Sequence, residues 1–217
     1  MAKTEWMASN SPVDYPQSVD FMAKTVDSII AGTGPEVVWL LEHPELYTKG
    51  TSARSEELQC TPTAPIYSAG RGGRYTYHGP GQRVIYLMLD LRTRGKDVRK
   101  YVHDLETWLI AAVAEFGIEG QRRAGRVGVW VDQGCGIDLK IAAIGIRIRK
   151  WVTLHGVSLN ISPDLNKYEA IVPCGIKGHG ISSLRELGVS APMKDVDKVL
   201  LQNFQKIFGN IKIAPTL

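Results

Sequence analysis

Apolar positions along the chain switch repeatedly between helical and strand spacing, and the switching sets out the expected elements. In residues 18–32, Val19, Met22, Val26 and Ile29 fall on one helical face and Gly32 stops the run. Residues 97–116 carry the strongest helical pattern. Val98, Tyr101, Leu105, Trp108 and Ala112 share a face, Asp97 can cap it, and Gly117 ends it. Residues 194–207 read as a closing helix with Val196, Leu200, Phe204 and Ile207 inward. Strand patterns lie between them. Residues 37–41 read as a buried strand ended by His43-Pro44, and 84–91 and 127–131 as further strands. Residues 140–149 alternate over their second half, with Ile144, Ile146 and Ile148 to one side and Arg147 and Arg149 to the other. Residues 152–161 are expected to pair with them as a hairpin. Residues 1–14 read as a flexible polar arm, 50–65 as a loop, 70–81 as too glycine-broken for regular structure, and 163–190 as loop-rich with short helical turns. No regular βαβ alternation runs through the pattern. The expected fold is one α+β domain over residues 15–217, a mixed β-sheet flanked by helices.

Composition narrows the class. The chain has 217 residues, 44% hydrophobic and 22% charged, which suits one sizeable core. A net charge of +4 is too mild for a nucleic-acid tail and fits an acidic protein partner. Residues 1–30 hold no apolar stretch behind a basic leader, and no run reaches the roughly 18 apolar residues of a spanning helix, so no membrane partner is expected. Cys60, Cys135 and Cys174 are odd in number and widely spaced, which argues for a reducing, cytoplasmic setting over a disulfide framework. No CxxC pair or His/Cys cluster has metal-site spacing, so no metal and no cofactor are expected.

Candidate chemistry sits in a few places. Cys174 lies in Pro173-Cys174-Gly175-Ile176, an irregular piece of backbone that can present a thiol to a pocket. Lys140 opens an apolar run. A nearby ammonium lowers a thiol pKa, and the thiolate is the attacking species, so the two form a usable pair if the fold joins them. Taken singly, a surface lysine and a buried small cysteine are the commoner fates. The glycine-rich stretch Arg71-Gly72-Gly73-Arg74-Tyr75-Thr76-Tyr77-His78 lets backbone approach a ligand; Arg71 and His78 can hold a polar group, and Tyr75 and Tyr77 can wall an apolar slot. The strand after Gln82 can wall the same slot. The stretch is not a P-loop, since no Gly-Lys-Ser/Thr follows. His155-Gly156-Val157-Ser158 places a glycine inside a strand, a mark of close ligand or backbone approach. Two basic stripes, Arg147-Arg149-Lys150 and Arg92 to Lys100, read by default as solvated faces and alternatively as docking sites for an acidic protein.

The ordered motifs together resemble the octanoyltransferases of lipoate biosynthesis. They are His43-Pro44 with Tyr47-Thr48 and Gly50, then Arg71-Gly72-Gly73 with Thr76 to Gln82. Gly128-Val129-Trp130-Val131 and Lys140-Ile141-Ala142-Ala143-Ile144-Gly145 follow. His155-Gly156 with Leu159-Asn160, Asp164-Leu165 and Pro173-Cys174-Gly175-Ile176 complete the series. The resemblance implies the fold of the biotin protein ligase and lipoate ligase catalytic domains. It implies Cys174 as nucleophile and Lys140 as its partner, with Arg71 to His78, Ala143, Ile144 and Gly145, and His155 to Ser158 binding the acyl group. The implied donor is octanoyl-acyl carrier protein. The implied acceptors are lysines of lipoyl domains in 2-oxoacid dehydrogenase complexes and of the glycine cleavage H protein. The implied state is a monomer with no nucleic-acid partner. Arg74-Tyr75 and Ser158 depart from the family's usual residues at the implied pocket wall, and residues 132–139 are also unusual. Three other readings stay open: an ATP-dependent lipoate or octanoate ligase of the same fold, a cysteine thioesterase or hydrolase with His78, His155 or His179 as base, and a non-catalytic acyl-binding module.

Overall fold

A computed structural model describes residues 4–134, 136–172 and 179–215. Cys135 and Cys174 therefore lie outside the described residues. The chain opens with strand β1 (Thr4–Ala8), helix α1 (Tyr15–Ala31), β2 (Val37–Leu41), β3 (Leu46–Lys49), β4 (Ile66–Ser68), β5 (Tyr75–His78) and β6 (Gln82–Met88). It continues through helix α2 (Val98–Ala114), β7 (Gln121–Arg123), β8 (Arg126–Asp132), β9 (Asp138–Arg149), β10 (Val152–Asn160), β11 (Gly180–Ile181), helix α3 (Met193–Phe208) and β12 (Ile211–Ile213).

The large sheet runs β12-β1-β2-β6-β10-β9-β8-β7, with β11 added beside β9. β1 pairs parallel with β12 and β2, while β2-β6, β6-β10, β10-β9 and β9-β8 are antiparallel. The result is the expected mixed α+β sheet with helices on both faces. On one face, Leu105 and Trp108 of α2 and Leu200 and Phe204 of α3 pack with Val38, Ile85, Leu87 and Val157. On the other, Met22, Val26 and Ile29 of α1 pack with Trp39, Tyr86 and Met88. Alternate residues of β6 thus feed two separate cores, as a strand buried on both faces requires. A second sheet, β4-β3-β5, lies off the first. No helix among the described residues is long and apolar enough to cross a membrane.

The hairpin of β9 and β10 forms as expected, and Asp97 caps α2 by accepting the Lys100 N–H. Several expectations need correction. Residues 4–8 are not part of a loose arm: they form β1, whose Trp6 packs against Phe204 at 5.3 Å and Trp108 at 6.4 Å. The α1 stripe is Tyr15, Ser18, Met22, Val26 and Ile29, and Val19 is 38% exposed. Ser18 tolerates burial because its hydroxyl donates to the Tyr15 carbonyl at 2.7 Å. Val98 likewise points outward. Residues 75–78 are a strand, made regular by antiparallel pairing with β3 despite the glycines around them. Nor does α3 close the fold, since β12 follows and pairs with β1.

If β1 is core rather than arm, Trp6→Ala should cost about 3–5 kcal/mol, the usual range for a buried tryptophan. Urea unfolding reads this directly, and a loss below about 1 kcal/mol would contradict the packed strand.

A candidate active site

The centre of the site is a run of small side chains on the hairpin of β9 and β10. Ala143 lies opposite Ser158, and Gly145 opposite Gly156. Next to them on β6, Val84 faces Ser158 and Tyr86 faces Gly156. The strands leave a trough on the α1 side of the sheet, roofed by β3, β5 and the glycine-rich loop. The cavity between has a volume of about 380 Å³. Of the predicted residues, Arg71, Gly73, Arg74, Tyr75, Thr76 and His78 line it from the roof. Lys140, Ala143, Ile144, Gly145, His155, Gly156, Val157 and Ser158 line it from the sheet. Lys140 stands at one end. Tyr86 stands near the other, since Gly156, which it faces, pairs with Gly145, five positions from Lys140 along β9 or roughly 17 Å at ~3.4 Å per residue.

Two predicted residues do not line the cavity. Gly72 donates its N–H to the Ile146 carbonyl at 3.0 Å, tying the loop to β9. Tyr77 turns away, its ring against Tyr47 at 5.4 Å and Tyr168 at 5.6 Å and its hydroxyl on Glu45 at 3.2 Å. Burial and the Glu45 carboxylate push that phenol up. The structure adds Tyr15, Thr48, Val84, Tyr86, Gly125, Arg126 and Val127 to the lining. Thr48 stands in the His43 to Gly50 motif, a signal that carried no role. Val84 and Tyr86 belong to the strand after Gln82 that is expected to wall the slot, although which of its residues face inward no local pattern reveals.

Arg71 holds the roof together. Its Nη2 donates to the Thr48 carbonyl at 3.0 Å, to Thr48 Oγ1 at 2.6 Å and to the Arg74 carbonyl at 3.0 Å, and Nη1 donates to Gly72 O at 2.9 Å. The Arg71 stem crosses Gly145, where a methyl group would lie 2.8 Å from Arg71 Cδ. Arg74 forms an ion pair with Glu57.

The histidines here are held neutral. His78 Nδ1 lies 2.6 Å from Gln82 Oε1, and Gln82 Nε2 donates to Asn160 Oδ1 and to the Tyr168 hydroxyl, both at 2.9 Å. The Gln82 oxygen can only accept, so His78 donates from Nδ1 and keeps Nε2 as an acceptor toward Thr48 Oγ1 at 3.4 Å. Burial, with the His43 ring second, lowers His78 to about 3. Burial lowers His43 to about 4; its Nε2 faces the Tyr86 hydroxyl at 2.7 Å. Burial, then the Arg71 and Arg147 guanidinia, lowers His155 to about 4. Imidazoles this weakly basic are poor general bases near neutral pH. That weighs against His78 or His155 serving as the base of a hydrolase. His179 accepts the Asp138 N–H through Nδ1 at 3.3 Å.

Lys140 is 4% exposed, although it is a lysine in mid-sheet. Its Nζ donates to the Val127 carbonyl at 3.2 Å and lies 4.5 Å from the centre of the Trp130 ring. Gly128 makes room for it: a Cβ there would fall 3.3 Å from Lys140 Cε and 2.6 Å from the Ala142 carbonyl. Among the described residues no cluster of His, Cys, Asp and Glu could hold a metal ion.

Cys174 is outside the described residues, but both flanks of its segment are anchored. On one side Val172 N–H donates to the Glu57 carbonyl at 2.7 Å and Ile171 bridges Leu58. On the other, Ile181 pairs with Lys140 and the Ser182 N–H donates to the Lys140 carbonyl at 2.9 Å. Thr76, Lys140, Ala143 and Ser158 line both the cavity and a small adjoining cleft. The other walls of that cleft include Tyr168 and Ile181, from the two flanks.

The chain matches the lipoyl protein ligase A/B catalytic domain over residues 14–205. It is 57% identical to an octanoyltransferase of Paramagnetospirillum magneticum over 205 residues, 94% of this chain and 97% of that one. It is 54% identical to an octanoyltransferase of Rhodospirillum rubrum, over 94% of this chain and 95% of that one. Among solved structures, a bipartite lipoate protein ligase from Thermoplasma acidophilum superposes with a TM-score of 0.70. That match covers 100% of this chain and 88% of the other at 14% identity, a likeness of fold.

The buried neutral histidines set a pH dependence. Between about pH 6.5 and pH 4 the unfolded chain takes up protons that the folded chain refuses. Stability should therefore fall as pH falls through this window, by up to about 3 kcal/mol per histidine. Thermal unfolding at stepped pH, with NMR titration of the imidazoles, checks it; His43, His78 or His155 titrating above pH 6 would contradict the burial.

Proposed function

The chain belongs to the octanoyltransferases, with a lipoyl protein ligase A/B catalytic domain, and we propose that it transfers the octanoyl group through a thioester on Cys174 with Lys140 as proton-transfer partner. The donor is octanoyl-acyl carrier protein. The acceptor is a lysine amine on lipoyl domains of 2-oxoacid dehydrogenase complexes and on the glycine cleavage H protein. The enzyme acts as a cytoplasmic monomer without a cofactor, in the first step of protein lipoylation.

The observation that carries this reading is the position of Lys140, buried at the end of the cavity where both flanks of the Cys174 segment meet its cleft. A free thiol with pKa ~8.5 is only a few per cent ionised at pH 7, and an ammonium within about 4 Å favours the thiolate. The thiolate attacks the donor thioester carbonyl, the bond from carbonyl carbon to the carrier's sulfur breaks, and that sulfur leaves as a thiol with a proton supplied by Lys140. The acceptor amine then attacks the acyl-cysteine. The Cys174 sulfur departs, the amine loses its proton to Lys140, and an amide remains. The first exchange is nearly isoenergetic and the second runs downhill, so the donor's own activation suffices and ATP is not needed.

The bare Gly145, Gly156 and Ala143 surface supports an extended apolar tail running from Lys140 toward Tyr86. Burying about seven methylene or methyl groups at ~0.8 kcal/mol each sets an upper limit of about 5–6 kcal/mol of binding.

Intact-mass measurement after incubation with octanoyl-acyl carrier protein tests the mechanism. A gain of about 126 Da that hydroxylamine removes, absent in Cys174→Ser and strongly slowed in Lys140→Ala, is expected of a thioester intermediate. Subsequent transfer to a lipoyl domain completes the reaction. Transfer that needs ATP and free octanoate, and survives Cys174→Ser, would instead establish the ligase chemistry.

A further inference from the structure

Lys140 has a flexible stem, and such a side chain acts reproducibly only if something fixes its tip. The β8 strand supplies that fixing. Trp130 is the register partner of Lys140 across β8 and β9, next to a register shift between Val129 and Trp130. A bulge of this kind re-aims a side chain. The Trp130 ring is 2% exposed, and its Nε1 donates to the Arg126 carbonyl at 2.9 Å, which sets the tilt of the indole.

Three groups converge on this ring. Lys140 Nζ lies 4.5 Å from its centroid and Arg126 Cζ 4.8 Å. The His179 ring meets it edge-on, at 5.8 Å between centroids and 73° between planes. A cation over an aromatic face is attracted by the ring's quadrupole, most strongly where water is excluded. Arg126 is also neutralised by Asp138 at 2.6 Å, so its charge is shared with a carboxylate beside the ring. His179 directly follows the segment that contains Cys174, and Asp138 donates its N–H to the same imidazole. One buried indole thus touches the lysine on β9 and the flank of the cysteine segment.

We propose that Trp130 is a positioning residue for octanoyl transfer: its ring face holds the Lys140 ammonium at the end of the cavity, and its edge contact with His179 ties it to the flank of the segment bearing Cys174. This rests on the Cys174–Lys140 reading. Trp130 lines neither the cavity nor its adjoining cleft, so its role is to position and not to react. Its contribution is to confine the Lys140 tip, together with the Val127 carbonyl, to the place where a thiolate is stabilised and a leaving sulfur is protonated.

The test compares Trp130→Phe, which keeps a ring face, with Trp130→Leu, which removes it. The readouts are the single-turnover rate of octanoyl-Cys174 formation, the KM for octanoyl-acyl carrier protein, and the pH dependence of Cys174 alkylation. Peptide mass spectrometry reads the alkylation, with the exposed Cys60 as internal reference. A cation–π contact of ordinary strength predicts a rate about 3- to 30-fold lower in Trp130→Leu, with KM little changed. The alkylation midpoint of Cys174 should move to higher pH in that variant, and Trp130→Phe should stay within about threefold of the wild-type rate.

Fluorinated tryptophan keeps the test independent of folding. It weakens the ring quadrupole at nearly constant shape, and incorporated throughout it should slow acylation in the wild type and leave Trp130→Phe unaffected. A folded Trp130→Leu with unchanged rate and alkylation midpoint overturns the proposal. So does fluorination that slows both backgrounds equally, which would trace to one of the other tryptophans. Wild-type protein that forms no Cys174 adduct, or a Lys140→Ala variant that forms it normally, overturns the underlying reading and this one with it.

Discussion

The site depends on a packing constraint in the middle of the large sheet. At two rungs of the β9–β10 ladder facing the cavity, both partners are small: Ala143 with Ser158, and Gly145 with Gly156. A sheet face at this depth is ordinarily filled by branched or aromatic side chains. Leaving it bare weakens the strands locally, because glycine packs nothing and loses more backbone freedom on folding. The opposite face offsets this. Val157 and Leu159, at the intervening positions of β10, belong to the core built with α2 and α3. The hairpin is therefore held from behind and open in front. Bare backbone leaves space for the Arg71 stem over Gly145, and the roof can close over a volume that no side chain fills.

Polarity in that volume is sorted by what each charge must already satisfy. Arg71 spends its donors on the carbonyls of Thr48, Gly72 and Arg74, so its charge organises the roof. Burial first and the same charge second keep His155 neutral, and His78 is neutral by burial and the proximity of His43. A cation aimed inward at carbonyls and imidazoles without protons leave the Tyr86 end suited to an uncharged chain. The Lys140 end carries ammonium and guanidinium on a tryptophan ring. On the proposed mechanism that gradient suits an acyl thioester, its apolar tail at the neutral end and its carbonyl at the charged one.

Much of this was legible along the chain, and the failures have definite causes. The helices were readable because α2 and α3 bury a stripe at helical spacing; the α1 error, Val19 for Ser18, arose because a serine can satisfy itself against the helix backbone. β1 was not readable. Its Thr4-Glu5-Trp6-Met7-Ala8 is short, half polar, and stabilised by parallel partners 32 and more positions away, Val37 on β2 and Ile211 on β12. β5 was hidden because glycine density argues against a strand, whereas pairing with β3 determines it. In the site, residues inside compact motifs could be placed. The strand after Gln82 could be placed as a wall but not its inward residues, Val84 and Tyr86, and Tyr15 could not be placed at all, because facing depends on which element covers which side of a sheet already buried on both.

Lys140 shows how a buried lysine is placed by backbone before side chain. Its strand is paired on one side by β8 and on the other by β11, so the Lys140 backbone is fixed by two neighbours. The register shift beside Trp130 and the missing Cβ of Gly128 then open a channel for the stem. Only the last atoms need individual contacts, and the Val127 carbonyl and the Trp130 ring provide them. A buried lysine rooted this way has already lost its freedom in folding, so on the proposed mechanism little ordering entropy would be left to lose at each turnover. The same strand pairing anchors the far flank of the Cys174 segment to Lys140. That flank and Lys140 are therefore tied together by hydrogen bonds of the sheet.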